Sequence, residues 1–88
     1  MSVYAVLKEV HDICRFQVLA YPGNRLELRL EEKDGTDRKE VFKTARQHLT
    51  EYLASQGIQH VTITLSESPP QQDPNSGKFK HIVNMQKN

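Results

Sequence analysis

A single cysteine, Cys14, is all the thiol chemistry that the 88 residues carry, so an internal disulfide is excluded. Its apolar neighbour Ile13 predicts a partly buried position, and the thiol usage fits a reducing compartment. Nothing beside Cys14 would activate a thiolate. No stretch approaches the roughly 18 apolar residues of a membrane span, and the first residues lack the hydrophobic region of a signal peptide. Together these absences predict a cytoplasmic protein with no membrane partner. A dominant charge is missing too: 12 Lys+Arg stand against 11 Asp+Glu, a formal net charge of +1. That balance argues against nucleic acid as the partner of a basic surface. The signs are unevenly spread, however, because no acidic residue follows Asp73 while Lys78, Lys80 and Lys87 do.

Length excludes more. A chain of 88 residues makes one domain, spanning 1–88, and not two. A domain this short buries only about 60% of its unfolded surface, so its core is thin. It has no room for a cleft enclosed by two lobes, and a chemical task would be shared with another domain or chain. Catalytic signatures are also sparse. His11, His48, His60 and His81 lie apart, without the close His, Cys or carboxylate spacing that metal ligands adopt on one element. No metal site is expected. There is no Gly-x-Ser-x-Gly elbow, and Glu31-Glu32 reads as a solubility pair at a strand end.

What is present is an alternation of helical and strand patterns. Val3, Val6, Leu7 and Val10 recur at helical spacing and predict a short amphipathic helix ending near His11 to Ile13. Phe16, Val18 and Ala20 alternate with their neighbours, Tyr21-Pro22-Gly23-Asn24 is a turn signal, and Arg25 to Glu31 alternates leucine with charge. This predicts a β-hairpin, apolar on one face and wet on the other. Asp37 stands three residues before Glu40, as in an N-terminal capping box. Val41, Phe42, Ala45, Leu49, Tyr52 and Leu53 then recur at spacings of three and four until Gly57 offers a left-handed stop. His60 to Leu65 reads as a strand with Val61, Ile63 and Leu65 inward. Phe79 to Met85 reads as one more short strand. The order predicts an α+β fold: a small antiparallel sheet with two helices on one face. It is close to a ferredoxin-like split β-α-β plan lacking its first strand.

The remaining segment, 66–77, is a loop of Ser, Pro, Gln, Asp, Asn and Gly. Pro69, Pro70 and Pro74 stiffen it and are expected to hold it off the sheet. Asn75, Ser76 and Gly77 allow a tight turn, with Gly77 free to take a positive φ. Lys78 follows directly, so its ammonium is projected from a turn with a stiff approach. The segment is not a Walker A loop: Gln72 occupies the position of that motif's first glycine, and Phe79 follows the lysine in place of Ser or Thr. A lone Gly-Lys in a polar loop is by itself more often a structural turn than a functional one. A long pre-organised loop is a costly feature in so small a domain, however, and that position raises the case for function.

A strand, a proline-bearing loop, then Ser76-Gly77-Lys78 followed by aromatic Phe79 and basic Lys80 resembles the C-terminal end of adenylate-forming (AMP-binding) enzymes. The nearest likeness is to acid–CoA ligases of the phenylacetate–CoA ligase branch. Pro69-Pro70 through Lys80 carries most of the match; Phe79-Lys80 departs from the arginine-containing pair of many relatives. The Arg15-Phe16-Gln17-Val18 hairpin and the Asp37–Gly57 helix fall where that domain has its own, so the resemblance covers nearly the whole chain. It implies that Lys78 is the catalytic lysine, with Asn75, Ser76, Gly77 and Lys80 forming the loop that meets substrate and nucleotide. It also implies a mobile lid domain, not active as this isolated chain and binding no cofactor alone. Its partner would be an N-terminal adenylation domain, in the same or a separate chain. That domain would supply the ATP-binding loops and the acid pocket, while the family's hinge and first strand would precede Met1. The complete enzyme would use ATP, Mg and CoA to convert a carboxylic acid to an acyl-adenylate and then a thioester, the domain rotating between the steps. The competing reading is a ferredoxin-like protein-interaction module without catalysis, working through an unpaired edge strand.

Overall fold

The computed structural model describes residues 2–74 and 76–85. Helix α1 spans Val3–Lys8, and Ser2 caps it by accepting a hydrogen bond from the Ala5 amide at 3.2 Å. It stops at Lys8, short of the expected end at His11 to Ile13, yet the buried Val10 side chain still joins the core from the turn that follows.

Strand β1, Ile13–Tyr21, and strand β2, Arg25–Glu32, form the predicted hairpin around Pro22-Gly23-Asn24. Gly23 and Asn24 both take positive φ, at 81° and 57°, which is why Gly and Asn suit this turn. The register pairs Phe16 with Leu30, Val18 with Leu28 and Ala20 with Leu26, all on the inner face. A register shift lies between Ile13 and Arg15 and leaves Cys14 as the extra residue of a bulge. Cys14 is exposed, not partly buried as its neighbour Ile13 had implied, because the bulge turns it out of the ladder.

Helix α2 spans Arg38–Ser55. Asp37 caps it by accepting from the Lys39 amide at 3.0 Å. It closes with Gly57 at φ 81°, where Gly57 N–H donates to the Ala54 carbonyl and Ile58 N–H to that of Leu53. This is the paired bonding of a Schellman stop, and it satisfies carbonyls that the helix end would otherwise leave open. Val41, Ala45, Leu49 and Leu53 are its buried stripe. With Leu7 of α1 and Phe16, Val18, Leu28 and Leu30 of the hairpin, Val41, Ala45 and Leu49 form one cluster, so both helices cover the same face of the sheet.

Strands β3, Thr62–Leu65, and β4, Ile82–Asn84, complete a four-stranded sheet of order β3-β2-β1-β4. The α+β class with two helices on one face is as expected, but the sheet is mixed and not antiparallel throughout. Both outer pairs, β2–β3 and β1–β4, are parallel. Connections set this: α2 carries the chain back along the sheet, so β3 enters in the direction of β2 and pairs with it directly. The slot that would separate those two strands in a split β-α-β unit is closed. β3 starts two residues later than its pattern suggests, because His60 takes φ 60° and cannot continue a strand. No described helix is long and apolar enough to cross a membrane.

Candidate functional site

The loop after β3 does not stand away from the sheet, as its prolines had implied. It lies on the face opposite the helices. Ser66 fixes its start: its amide donates to the Leu28 carbonyl at 2.7 Å, its carbonyl accepts from the Arg38 guanidinium, and its hydroxyl accepts from the Ser68 amide. Pro70 is buried. The outer face is therefore covered at its centre, where Gln17 is only 4% exposed and Leu19 only 2%, while Arg15 toward its end stays in water. The physical reason is that polar loop backbone cannot be buried without partners, and Gln17 supplies them.

Gln17 sits mid-strand in β1. Its side-chain amide nitrogen donates to the carbonyls of Gln71, at 3.1 Å, and Lys80, at 2.9 Å. Its side-chain oxygen accepts from the Gln71 amide at 3.3 Å and from Arg29 Nη1 at 3.0 Å. Residues 71 and 80 are the two legs of the loop, and between them lies the lysine turn. Asp73 N–H donates to the Lys78 carbonyl at 2.9 Å, and Gly77 N–H to the Asp73 carbonyl at 2.8 Å. The Ser76 hydroxyl accepts from the Lys78 amide at 3.3 Å. Gly77 has φ 70°, the left-handed value that its place in the turn demands. Ser76, Gly77 and Lys78 thus share one closed turn, and all three are exposed. Asn75 lies outside the described residues. Among the described residues the Lys78 ammonium meets no hydrogen-bond or ion-pair partner.

Lys80 is brought near but not into the turn. It stands on the descending leg, its carbonyl held by Gln17 and its side chain exposed. It borders a cavity of about 280 Å³ together with Arg29, Gln72, Asp73, Val83 and Met85. The Arg29 Nε is buried there without a hydrogen-bond partner among the described residues.

The segment after Lys78 is anchored on the other side of the sheet edge. Phe79 meets His81 edge-on at 5.0 Å between ring centroids, and Arg15 lies 5.9 Å over its ring. His81 also touches Tyr4 and Phe16, at 4.8 and 5.1 Å. Ring contacts at Phe79 and His81 and the Gln17 bond to the Lys80 carbonyl stand where strand pairing was expected, and β4 has three residues in place of the seven from Phe79 to Met85. Arg15 is itself held by a bidentate pair to Glu31, at 3.0 and 3.1 Å. The Arg15 guanidinium, and next the Cys14 thiol, hold the Glu31 carboxyl below the usual carboxylate range. The same carboxylate pushes the Cys14 thiol up, away from the reactive thiolate.

Sequence reading had isolated the turn residues but not Gln17, Arg29, Arg15 or His81. One signal was available for the first two: the hairpin turn fixes a register that sets Gln17 opposite Arg29 on the same face. Among the described residues, no group of three or more His, Cys, Asp or Glu gathers to hold a metal ion. Comparison with protein-family models, with curated proteins and with solved structures found no match to this chain.

Proposed function

We propose that the chain is the C-terminal lid domain of an AMP-forming acid–CoA ligase, acting through Lys78 on a site in a separate adenylation domain. The observation that carries the reading is the turn itself. An ammonium with no partner among the described residues stands at the exposed end of a turn closed by two backbone hydrogen bonds, and both legs of that turn are fastened to the sheet. A side chain serving only solubility gains nothing from such a mount, whereas one that must enter another domain's site gains pre-organisation. A compact ammonium suits the first half-reaction, because negative charge develops on the phosphoryl oxygens as the carboxylate attacks the α-phosphate of ATP and pyrophosphate leaves. Lys78 would bridge the α-phosphate and the substrate carboxylate, and withdraw when the domain rotates for thioester formation. Magnesium, the acid pocket and most of the ATP contacts belong to the adenylation domain on this reading. Ser76 and Gly77 shape the turn, and Lys80 adds positive charge behind it.

The test is Lys78→Ala in the full-length chain carrying this domain, or in the two chains mixed if they are separately encoded. ATP–pyrophosphate exchange should fall by about 100-fold or more, the loss typical of one charge-stabilising donor. Thioester formation from preformed acyl-adenylate should persist. Unaltered exchange would remove Lys78 from the chemistry and the ligase reading with it.

A further inference from the structure

Gln17 belongs to no catalytic pattern, yet it is the most fully engaged polar side chain described on the outer face. Its carboxamide offers two donors and two principal acceptor directions, and all four are used. Only one orientation of the amide satisfies them: the nitrogen faces two carbonyls, and the oxygen faces an amide and a guanidinium. Arg29 sets that orientation, since a guanidinium can only donate. The carboxamide therefore cannot flip without placing donor against donor and acceptor against acceptor.

Its partners are informative. Gln71 and Lys80 lie just outside the neck of the turn that bears Lys78, one on each leg. Beyond Lys80 the chain crosses the sheet edge: the Val18 amide donates to the His81 carbonyl at 2.7 Å, and the His81 ring packs with Tyr4 and Phe16. Strand β4 is only three residues long, and three ladder pairs specify register weakly. The bond from Gln17 to the Lys80 carbonyl adds the constraint that a short strand lacks. A slip by one residue would carry Lys78 about 3.3 Å along the strand and turn its neighbours to the opposite face.

We infer that Gln17 is the positioning residue of the lysine turn: its side-chain amide locks both legs and the β4 register, and so fixes where Lys78 is delivered. The inference rests on the ligase reading above for its catalytic meaning, while its mechanical part stands on the chain alone. Gln17 acts through Lys78 and touches no substrate.

The experiment uses Gln17→Glu, which keeps an acceptor for Arg29 but has no donor for the two carbonyls. Gln17→Met, of similar length and with no hydrogen bonds to these partners, is the second variant should the first fail to fold. In the chain itself, amide exchange at Asp73 and Gly77 should quicken by at least about tenfold while exchange at Leu49 in α2 stays unchanged. In the complete enzyme, kcat for pyrophosphate exchange should fall by about 100-fold, as expected for a reacting group misplaced by about an ångström. KM for ATP and acid should hold, and thioester formation from preformed adenylate should be unaltered. Unchanged exchange at Asp73 and Gly77 overturns the lock. A loosened turn with undiminished pyrophosphate exchange, where Lys78→Ala abolishes it, overturns the positioning role. Pyrophosphate exchange indifferent to Lys78→Ala overturns the ligase reading, and any catalytic role for Gln17 goes with it.

Discussion

Leu49 and Leu19 are both removed from water, at 0% and 2% exposure, but they occupy different sides of the sheet. Truncating each to alanine should reveal how differently the two sides are built. Leu49 lies in the cluster between α1, α2 and the hairpin, among side chains held by three elements. Leu49→Ala removes three carbons, about 2.4 kcal/mol of transfer free energy. The surrounding helices cannot close the space, so a cavity contribution brings the loss to about 3 kcal/mol. A domain of 88 residues has roughly 4 to 13 kcal/mol of stability in all. The melting temperature should therefore drop by roughly 12 to 24 °C, read from thermal unfolding followed by circular dichroism. Leu19 belongs to no part of that cluster; Val83 pairs beside it in the ladder, and both line one cavity with loop residues 71–74. A loop can settle into a vacated space or lift away, so Leu19→Ala should cost less, about 2 kcal/mol or below. A urea titration of both variants with unchanged slope provides the comparison. If Leu49→Ala cost under about 1 kcal/mol, or if Leu19→Ala cost as much as Leu49→Ala, this two-sided account of the core would be refuted.

Two further outcomes follow from the site. Glu31 is held below the usual carboxylate range by Arg15, so its contribution is present above its unfolded value and lost as pH falls through the lower folded one. Glu31→Gln should lower the urea midpoint slightly at neutral pH, flatten its acid-side decline below about pH 4.3, and speed alkylation of Cys14 several-fold; an unchanged alkylation rate would separate the thiol from the carboxylate. Gly77→Ala meets no atom within 4 Å but must hold φ near 70°, so only backbone strain is added. Exchange at the Gly77-position and Asp73 amides should quicken about fivefold, for about 1 kcal/mol of strain, with the melting temperature lowered by only about 4 to 8 °C. A large drop in melting temperature would mean that the turn supports the whole fold.

The elements legible in the sequence are those whose signals are local. Asp37 and Gly57 mark α2 because capping chemistry is written within a few residues of each helix end. The hairpin is legible because Pro22-Gly23-Asn24 and the leucine alternation specify turn and register together. Strand direction at the sheet edges is not local: β3 and β4 are parallel to their neighbours because of where α2 and the loop return the chain, and no alternation pattern records that. The outer face misled for the same reason. Gln17 between Phe16 and Val18 has the alternation of a wet face, and only a segment more than fifty positions away turns it into a buried clamp. At the candidate site, Ser76, Gly77 and Lys78 were legible as a turn from residue type alone. Its fastening was not, because backbone carbonyls at Gln71 and Lys80 carry it, and every residue has one.

The pairing of β1 with β4 joins position 18 to position 82, far apart in a chain of 88 residues. Contacts so distant in sequence require the largest loop closure and form slowly, whereas the hairpin closes over three residues. Loop closure alone predicts an order in which hairpin and helices collapse first and the C-terminal strand docks onto a sheet already made. During synthesis that strand also leaves the ribosome after the other three. The lysine turn, hung between the late strand and the finished sheet, therefore reaches its ordered form only in a molecule whose core is complete. A misfolded or truncated copy would still carry Lys78 in its sequence but would have no fixed place from which to offer it.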